Sequence, residues 1–226
     1  MLSSSRPLIV FDMDGTLMDS LPDIANSSRY LLKLYNLPSV DDRIVRSMIG
    51  DGIQLLVERL LDQAGTEAKF INRKEATDHF IEYYSDHSSD YTKPFENAEK
   101  CLENFKLHNW AIALCTNKIT KVAKDILKHH HLDHFFDVVG GGDSFAHKKP
   151  HACHLEGIMK EINAKAARTV MVGDHLNDIL VAKNAHIAGS IFALWGYGKL
   201  EIGDQATRVA KMITDLPKIA EDIIRI

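Results

Sequence analysis

Apolar positions recur at two different periods along this chain, and the change of period divides it. From Leu21 to about His87 the period is helical. Leu21, Ile24, Ala25, Leu31, Leu32 and Tyr35 share one face, and Asn36-Leu37-Pro38 stops the stripe. Ser20 can cap this helix, and Pro22 sits where a missing N–H does least harm. A second short helix is predicted from Asp41 to about Ile49, where Gly50-Asp51-Gly52 breaks it. In the third, Ile53, Leu56, Val57, Leu60, Leu61 and Ala64 fall on one face and Gly65 ends it. A fourth, with Phe80, Ile81 and Tyr84, runs to the polar Ser88-Ser89-Asp90. No strand is predicted in this stretch, a helical insertion of roughly 70 residues, enough for a small bundle.

On either side the grammar is that of strands. Leu8-Ile9-Val10-Phe11 is an unbroken apolar run with two β-branched members, the pattern of a strand buried on both faces. After Tyr91 helices and strands alternate. Helices are predicted over Glu96 to His108, Ile119 to His129, His151 to Ile162, Asp178 to Ala185 and from Asp215-Leu216-Pro217 to about Ile224. The strands between them are Trp110 to Leu114, Phe136 to Val139, Thr169 to Val172, Ser190 to Leu194 and a weak Arg208 to Ala210. Such alternation predicts a parallel sheet with helices on both faces, whose ligands bind beyond the carboxyl ends of the strands.

Composition changes this picture little. The chain has 226 residues, enough for one α/β core and a small accessory domain. A net charge of −4 gives no electrostatic reason for a nucleic-acid or anionic-membrane partner. No apolar stretch approaches a membrane span, and Met1 to Pro7 contains no apolar segment of a secretory signal. Cys101, Cys115 and Cys153 cannot pair completely, so a reducing, cytoplasmic setting is expected.

The chemistry lies where the strands end. The first stops on Asp12 and Asp14, followed by Gly15, which permits a sharp turn. Two carboxylates there repel each other and are costly to desolvate, and a hard divalent cation would offset them. The alternative is a polar turn with no ligand. Thr116, in Leu114-Cys115-Thr116-Asn117-Lys118, could hold a phosphate oxygen or cap the next helix. Lys148-Lys149-Pro150 reads on spacing alone as a solvated loop. Gly173-Asp174 closes another strand, and Asp178 follows four residues later as a ligand or a helix cap. His129-His130-His131 and His134 follow a helix end, where histidine is favoured without any metal. Gly140-Gly141-Gly142 lacks the continuation of a nucleotide-binding loop.

Taken together, these stretches resemble the four motifs of the haloacid dehalogenase-like phosphatases. Asp12-Met13-Asp14-Gly15-Thr16-Leu17-Met18-Asp19-Ser20 resembles the first, Thr116-Asn117-Lys118 the second, Lys149-Pro150 the third and Gly173-Asp174 with Asp178 the fourth. The order is the family's, and the likeness from Leu8 to Ile226 is to its phosphoglycolate phosphatase-like members. Met48-Ile49-Gly50-Asp51-Gly52, Thr92-Lys93-Pro94-Phe95, Gly141-Gly142-Asp143 and Trp195-Gly196-Tyr197-Gly198 share that likeness. Glu96-Asn97, where the family often has Pro-Gly, and Ala152, where a second proline is common, depart from it.

The resemblance implies a doubly wound, Rossmann-like α/β core of residues 1–17 and 92–226, strand order 5-4-1-2-3, with a helical cap over residues 18–91. It implies Asp12 as the nucleophile that becomes an aspartyl phosphate and Asp14 as the acid and base. Lys149 would face the phosphoryl group, with Thr116 and Asn117 also binding phosphate. Magnesium would be held by Asp12, Asp14 and Asp174, with Asp178 acting through water or by orienting Asp174. Gly50, Asp51 and Gly52 would form a loop that selects the leaving group.

The expected partner is a small phosphorylated metabolite such as 2-phosphoglycolate, with no nucleic acid and no membrane, and the protein a monomer or homodimer. Arg43, Arg46 and Arg59 are candidates to meet a substrate carboxylate or plain surface residues. A mutase of the β-phosphoglucomutase type is the alternative. A haloacid dehalogenase would not need Asp14, and a non-catalytic relative would be expected to lack one of the four charged motif residues.

Overall fold

The apolar run near the amino terminus forms β1, Leu8–Phe11, with all four side chains buried. The computed structural model describes residues 6–225, so Met1 to Ser5 and Ile226 lie outside the described residues. From β1 the chain passes through a turn to β2 (Met18–Asp19) and then through helices α1 (Leu21–Leu34), α2 (Asp42–Arg46), α3 (Ile53–Gln63) and α4 (Arg73–His87). It returns at β3 (Lys93–Pro94). Next come α5 (Ala98–Leu107), β4 (Ala111–Cys115), α6 (Thr120–His129), β5 (Val138–Gly140) and α7 (Ala152–Ile162). The last elements are β6 (Thr169–Gly173), α8 (Leu176–Asn184), β7 (Gly189–Ala193), β8 (Arg208–Ala210) and α9 (Leu216–Ile224).

A strand covered on both faces belongs inside a parallel sheet. β1 lies there, with Leu8 level with Ala111 of β4 on one side and Thr169 of β6 on the other. The sheet runs β5-β4-β1-β6-β7-β8, parallel throughout. For its first five strands in sequence this is the order 5-4-1-2-3, and β8 extends the β7 edge. Alternation along β1 sends Ile9 and Phe11 into one apolar layer, with α5, α6 and α9, and Leu8 and Val10 into the other, with α7 and α8. The first layer continues without a break into α1, α3 and α4.

Three local differences from expectation have physical causes. Ser20 does not cap α1; its hydroxyl donates instead to Asp14 Oδ1 at 2.5 Å. α8 begins two residues before Asp178, because the His175 ring accepts from Asn177 N–H while Asp178 reaches back to His175 N–H. The antiparallel pair β2–β3, two residues a strand, was too short for any period to show. It joins the outgoing and returning chain at the base of the helical insertion. Buried Asp23 on α1 reinforces that junction, accepting from Thr92 N–H at 2.7 Å and Thr92 Oγ1 at 2.8 Å. Among the described residues no helix is long and apolar enough to cross a membrane.

Candidate active site

Beyond Phe11 the ladder persists for one more bond, Asp12 N–H to Val172 C=O, and the chain then coils so that Thr16, Leu17 and Met18 all donate to Met13 C=O. Gly15 makes this possible. Its φ is +80°, and a Cβ there would stand 2.5 Å from Asp174 Oδ2. The coil parts the two aspartates. Asp12 Oδ1 accepts from Met13 N–H at 2.7 Å and from Lys149 Nζ at 2.8 Å. Asp14 Oδ1 accepts from Ser20 and lies 3.0 Å from Lys118 Nζ.

Asp12, Asp174 and Asp178 converge at the carboxyl ends of β1 and β6, each buried, with one oxygen apiece within 4.8 Å of the others. Lys149, itself buried, reaches Asp178 Oδ1 at 2.6 Å as well as Asp12. Asp174 is held by Thr16 Oγ1 at 2.7 Å and by the N–H groups of Tyr197 at 2.7 Å and Gly198 at 3.2 Å. Burial pushes Asp12 up to about 6, with Asp178 adding to the rise and Lys149 opposing it. Burial and then the charges of Asp12 and Asp178 push Asp174 up to about 7. Burial also works against the Lys149 ammonium, but Asp12 and Asp178 outweigh it and hold it protonated. Three buried carboxylates therefore face one ammonium. An all-oxygen donor set short of positive charge fits a hard divalent cation.

Two expected ligands stand differently. The Asp14 carboxylate is turned to Ser20 and Lys118 and is not in the cluster. Both oxygens of Asp178 are engaged, by Lys149 and by His175 N–H, which suits an orienting part rather than direct ligation.

Thr116 and Asn117 follow β4 and, with Asp12 and Asp14, line a cavity under the helical insertion. Thr116 caps nothing, since α6 starts at Thr120. The Asn117 amide donates to Gly50 C=O at 2.9 Å and Lys149 C=O at 3.2 Å, so what it offers an anion is its backbone N–H, unpartnered among the described residues. The Gly50–Gly52 loop is fastened to the sheet side by further bonds. Lys148 Nζ donates to Asp51 C=O at 2.6 Å, and Asn177 Nδ2 donates to Asp51 Oδ1 at 2.7 Å.

The sequence pattern gives no role to several contributors, Lys118, Tyr84 and Lys148, and makes Ser20 a helix cap rather than the partner of Asp14. The three arginines proved to be elsewhere. Arg43 pairs with Asp41, Arg46 donates to Gly196 C=O at 2.6 Å, and Arg59 meets Asp51 at 2.6 Å. None lines the cavity.

A sequence model of the haloacid dehalogenase-like hydrolases matches residues 9–190. A phosphoglycolate phosphatase of Neisseria meningitidis serogroup A is 35% identical over 218 residues, 95% of this chain and 92% of that one. One from Vibrio cholerae serotype O1 is 36% identical over 184 residues, 80% of this chain and 81% of its own. A solved structure, a predicted phosphoglycolate phosphatase from Haemophilus somnus, superposes with a TM-score of 0.89 at 30% identity, covering 96% of this chain and 99% of that one.

Proposed function

The chain belongs to the haloacid dehalogenase-like hydrolases, and on that premise we propose a cytoplasmic, magnesium-dependent phosphatase of small phosphomonoesters. Its substrate is 2-phosphoglycolate or a similar phosphorylated metabolite, and the reaction passes through an aspartyl phosphate. The observation that carries this reading is the divergence of Asp12 and Asp14. One carboxylate sits beside Lys149 in an anionic, cation-seeking cluster, and the other faces the cavity with partners of its own.

Asp12 attacks phosphorus, and its carboxylate becomes the acyl phosphate as the ester oxygen departs. Asp14, in its acid form, gives that oxygen its proton and then takes one from the water that attacks the phosphoenzyme. Lys149, the Thr116 hydroxyl and the backbone N–H of Asn117 face the charge on the phosphoryl oxygens. Asp12 and Asp174 would hold Mg2+, with Asp178 fixing Lys149 and the head of α8. The ion supplies positive charge to the phosphoryl oxygens and screens the cluster. Residues 18–91 act as a cap that closes over a core of 1–17 and 92–226 and keeps water from the first step.

The test is phosphate release from 2-phosphoglycolate. Activity should need Mg2+, and full turnover in excess chelator would overturn the proposal. Asp12→Asn should form no phosphoenzyme. Asp14→Asn should be slower by about 10²- to 10⁴-fold yet accumulate label on Asp12, trappable by acid quench and intact mass. Label on Asp14 in the wild type would reverse the roles.

A further inference from the structure

Building on the phosphatase reading, we propose that Lys118, together with the Tyr84 hydroxyl, is the specificity determinant that pairs with a carboxylate carried by the leaving group. The cavity under the insertion is narrow, about 30 Å³, and its roof is hydrocarbon: Ile24, Ile49, Ile53, Leu56 and Phe80. Of the residues lining it, Lys118 is the one cation, and it is only 5% exposed. A buried ammonium in an apolar wall is costly unless its donors are used. Lys118 Nζ meets Asp14 Oδ1 at 3.0 Å and donates to the Tyr84 hydroxyl oxygen. An ammonium has three N–H donors, so one has no partner among the described residues. Tyr84, accepting from Lys118, keeps its own O–H to donate. One N–H and one O–H, side by side, match the two oxygens of a carboxylate.

Reach limits what can be read. To protonate the ester oxygen, a carboxyl oxygen of Asp14 must lie within about 3 Å of it; Lys118 Nζ is 3.0 Å from Asp14 Oδ1, so Lys118 comes within about 8 Å of that oxygen. A carboxylate one methylene from the ester oxygen falls inside that distance. The other cations nearby, Lys149, Lys148, Arg46 and Arg59, do not line the cavity and reach instead to Asp12 and Asp178, Asp51 C=O, Gly196 C=O and Asp51. The one charged partner the lining offers a carboxylate is Lys118, with the Tyr84 hydroxyl beside it.

The experiment compares kcat/KM for 2-phosphoglycolate and for its neutral isostere, phosphoglycolamide, with Mg2+. Both have the same leaving-group oxygen, so any effect of Lys118 through Asp14 is common to both and cancels in their ratio. The wild type should prefer the carboxylate by about a hundredfold or more. Lys118→Met should bring the ratio to within about threefold of one, whatever it costs both esters together. Lys118→Arg should keep part of the preference, and Tyr84→Phe should lose about tenfold of it. These milder variants carry the test should Lys118→Met fold poorly. A ratio unmoved in all three, or a wild type indifferent to the carboxylate, overturns the assignment. Mg2+-dependent hydrolysis of both esters, or of p-nitrophenyl phosphate, with no carboxylate preference would leave the phosphatase standing and remove only Lys118. Hydrolysis of no ester would remove both.

Discussion

Asp12 and Asp174 are held in the folded protein against their own electrostatics. Both pKa values are raised, to about 6 and about 7, against a starting value of 3.8. A raised carboxylate binds its proton more tightly when folded, so these groups favour folding most at low pH and that benefit is lost as pH climbs through 6 and 7. Each pKa unit is worth about 1.4 kcal/mol, so Asp174 alone costs the metal-free protein up to about 4 kcal/mol at pH 7.5. Metal-free wild type should therefore show a Tm that falls from pH 5 to pH 7.5, and Mg2+ should restore it at the higher pH. Asp174→Asn should flatten the fall, exceed metal-free wild type in Tm at pH 7.5, and lose the response to Mg2+. A metal-free Tm no more pH-dependent in wild type than in Asp174→Asn would count against the strained cluster. At this scale the motif residues were legible because each follows a strand in a fixed local pattern. Lys118 and Tyr84 were not, because their meeting joins a loop after β4 to a helix 34 residues earlier. Tyr84 looked like one more apolar position of α4.

Between elements, the decisive contact is the Gly50–Gly52 loop against the loops after β4 and β5 and the start of α8. Gly52 has φ +92°, and a Cβ there would lie 2.9 Å from Lys148 Nζ and 3.2 Å from Asn117 C=O. Lys148, unassigned by its sequence, thus fastens this loop through Asp51 C=O. A hydrogen bond of this kind contributes about 1 kcal/mol net. Lys148→Met should lower kcat/KM for 2-phosphoglycolate by about fivefold to tenfold and speed amide exchange over residues 50–52. Gly52→Val, strained in backbone and crowded, should do more, and should hurt 2-phosphoglycolate more than p-nitrophenyl phosphate. Equal losses on the two esters would mean the loop does not help select the leaving group. The helices themselves were readable, since long stripes such as Ile53 to Ala64 carry several turns of period. Strand β5 was displaced, with a short turn at 133–135 taking up the residues before it, because three residues give alternation little to show. What the loop touches could not be read from a local period at all.

Over the whole molecule, a parallel sheet brings every strand's carboxyl end to one edge, which is why four motifs spread from Asp12 to Asp178 meet in one place. That convergence could be foreseen from strand-ending polar residues alone. The roof could not, because Ile53 and Leu56 face the cavity from the same helical stripe whose Val57, Leu60 and Leu61 are fully buried. Floor and roof belong to different parts of the chain, joined at the short β2–β3 pair and by Asp23. In the arrangement seen here Asp12 and Asp14 lie beneath that roof, so on the proposed mechanism a substrate must fit wholly inside or hold the insertion open. A phosphoserine peptide extends in both directions from its phosphate and cannot fit. Its kcat/KM should therefore fall at least about 10³-fold below that of 2-phosphoglycolate, since misplaced reactants forfeit much of the advantage of orientation. The comparison has an internal control. Leu56→Ala, which trims the roof but touches no carboxylate of the cluster, should narrow the gap by slowing the small ester more than the peptide. A wild type that hydrolyses the peptide as readily as the metabolite would show that the insertion does not close during turnover.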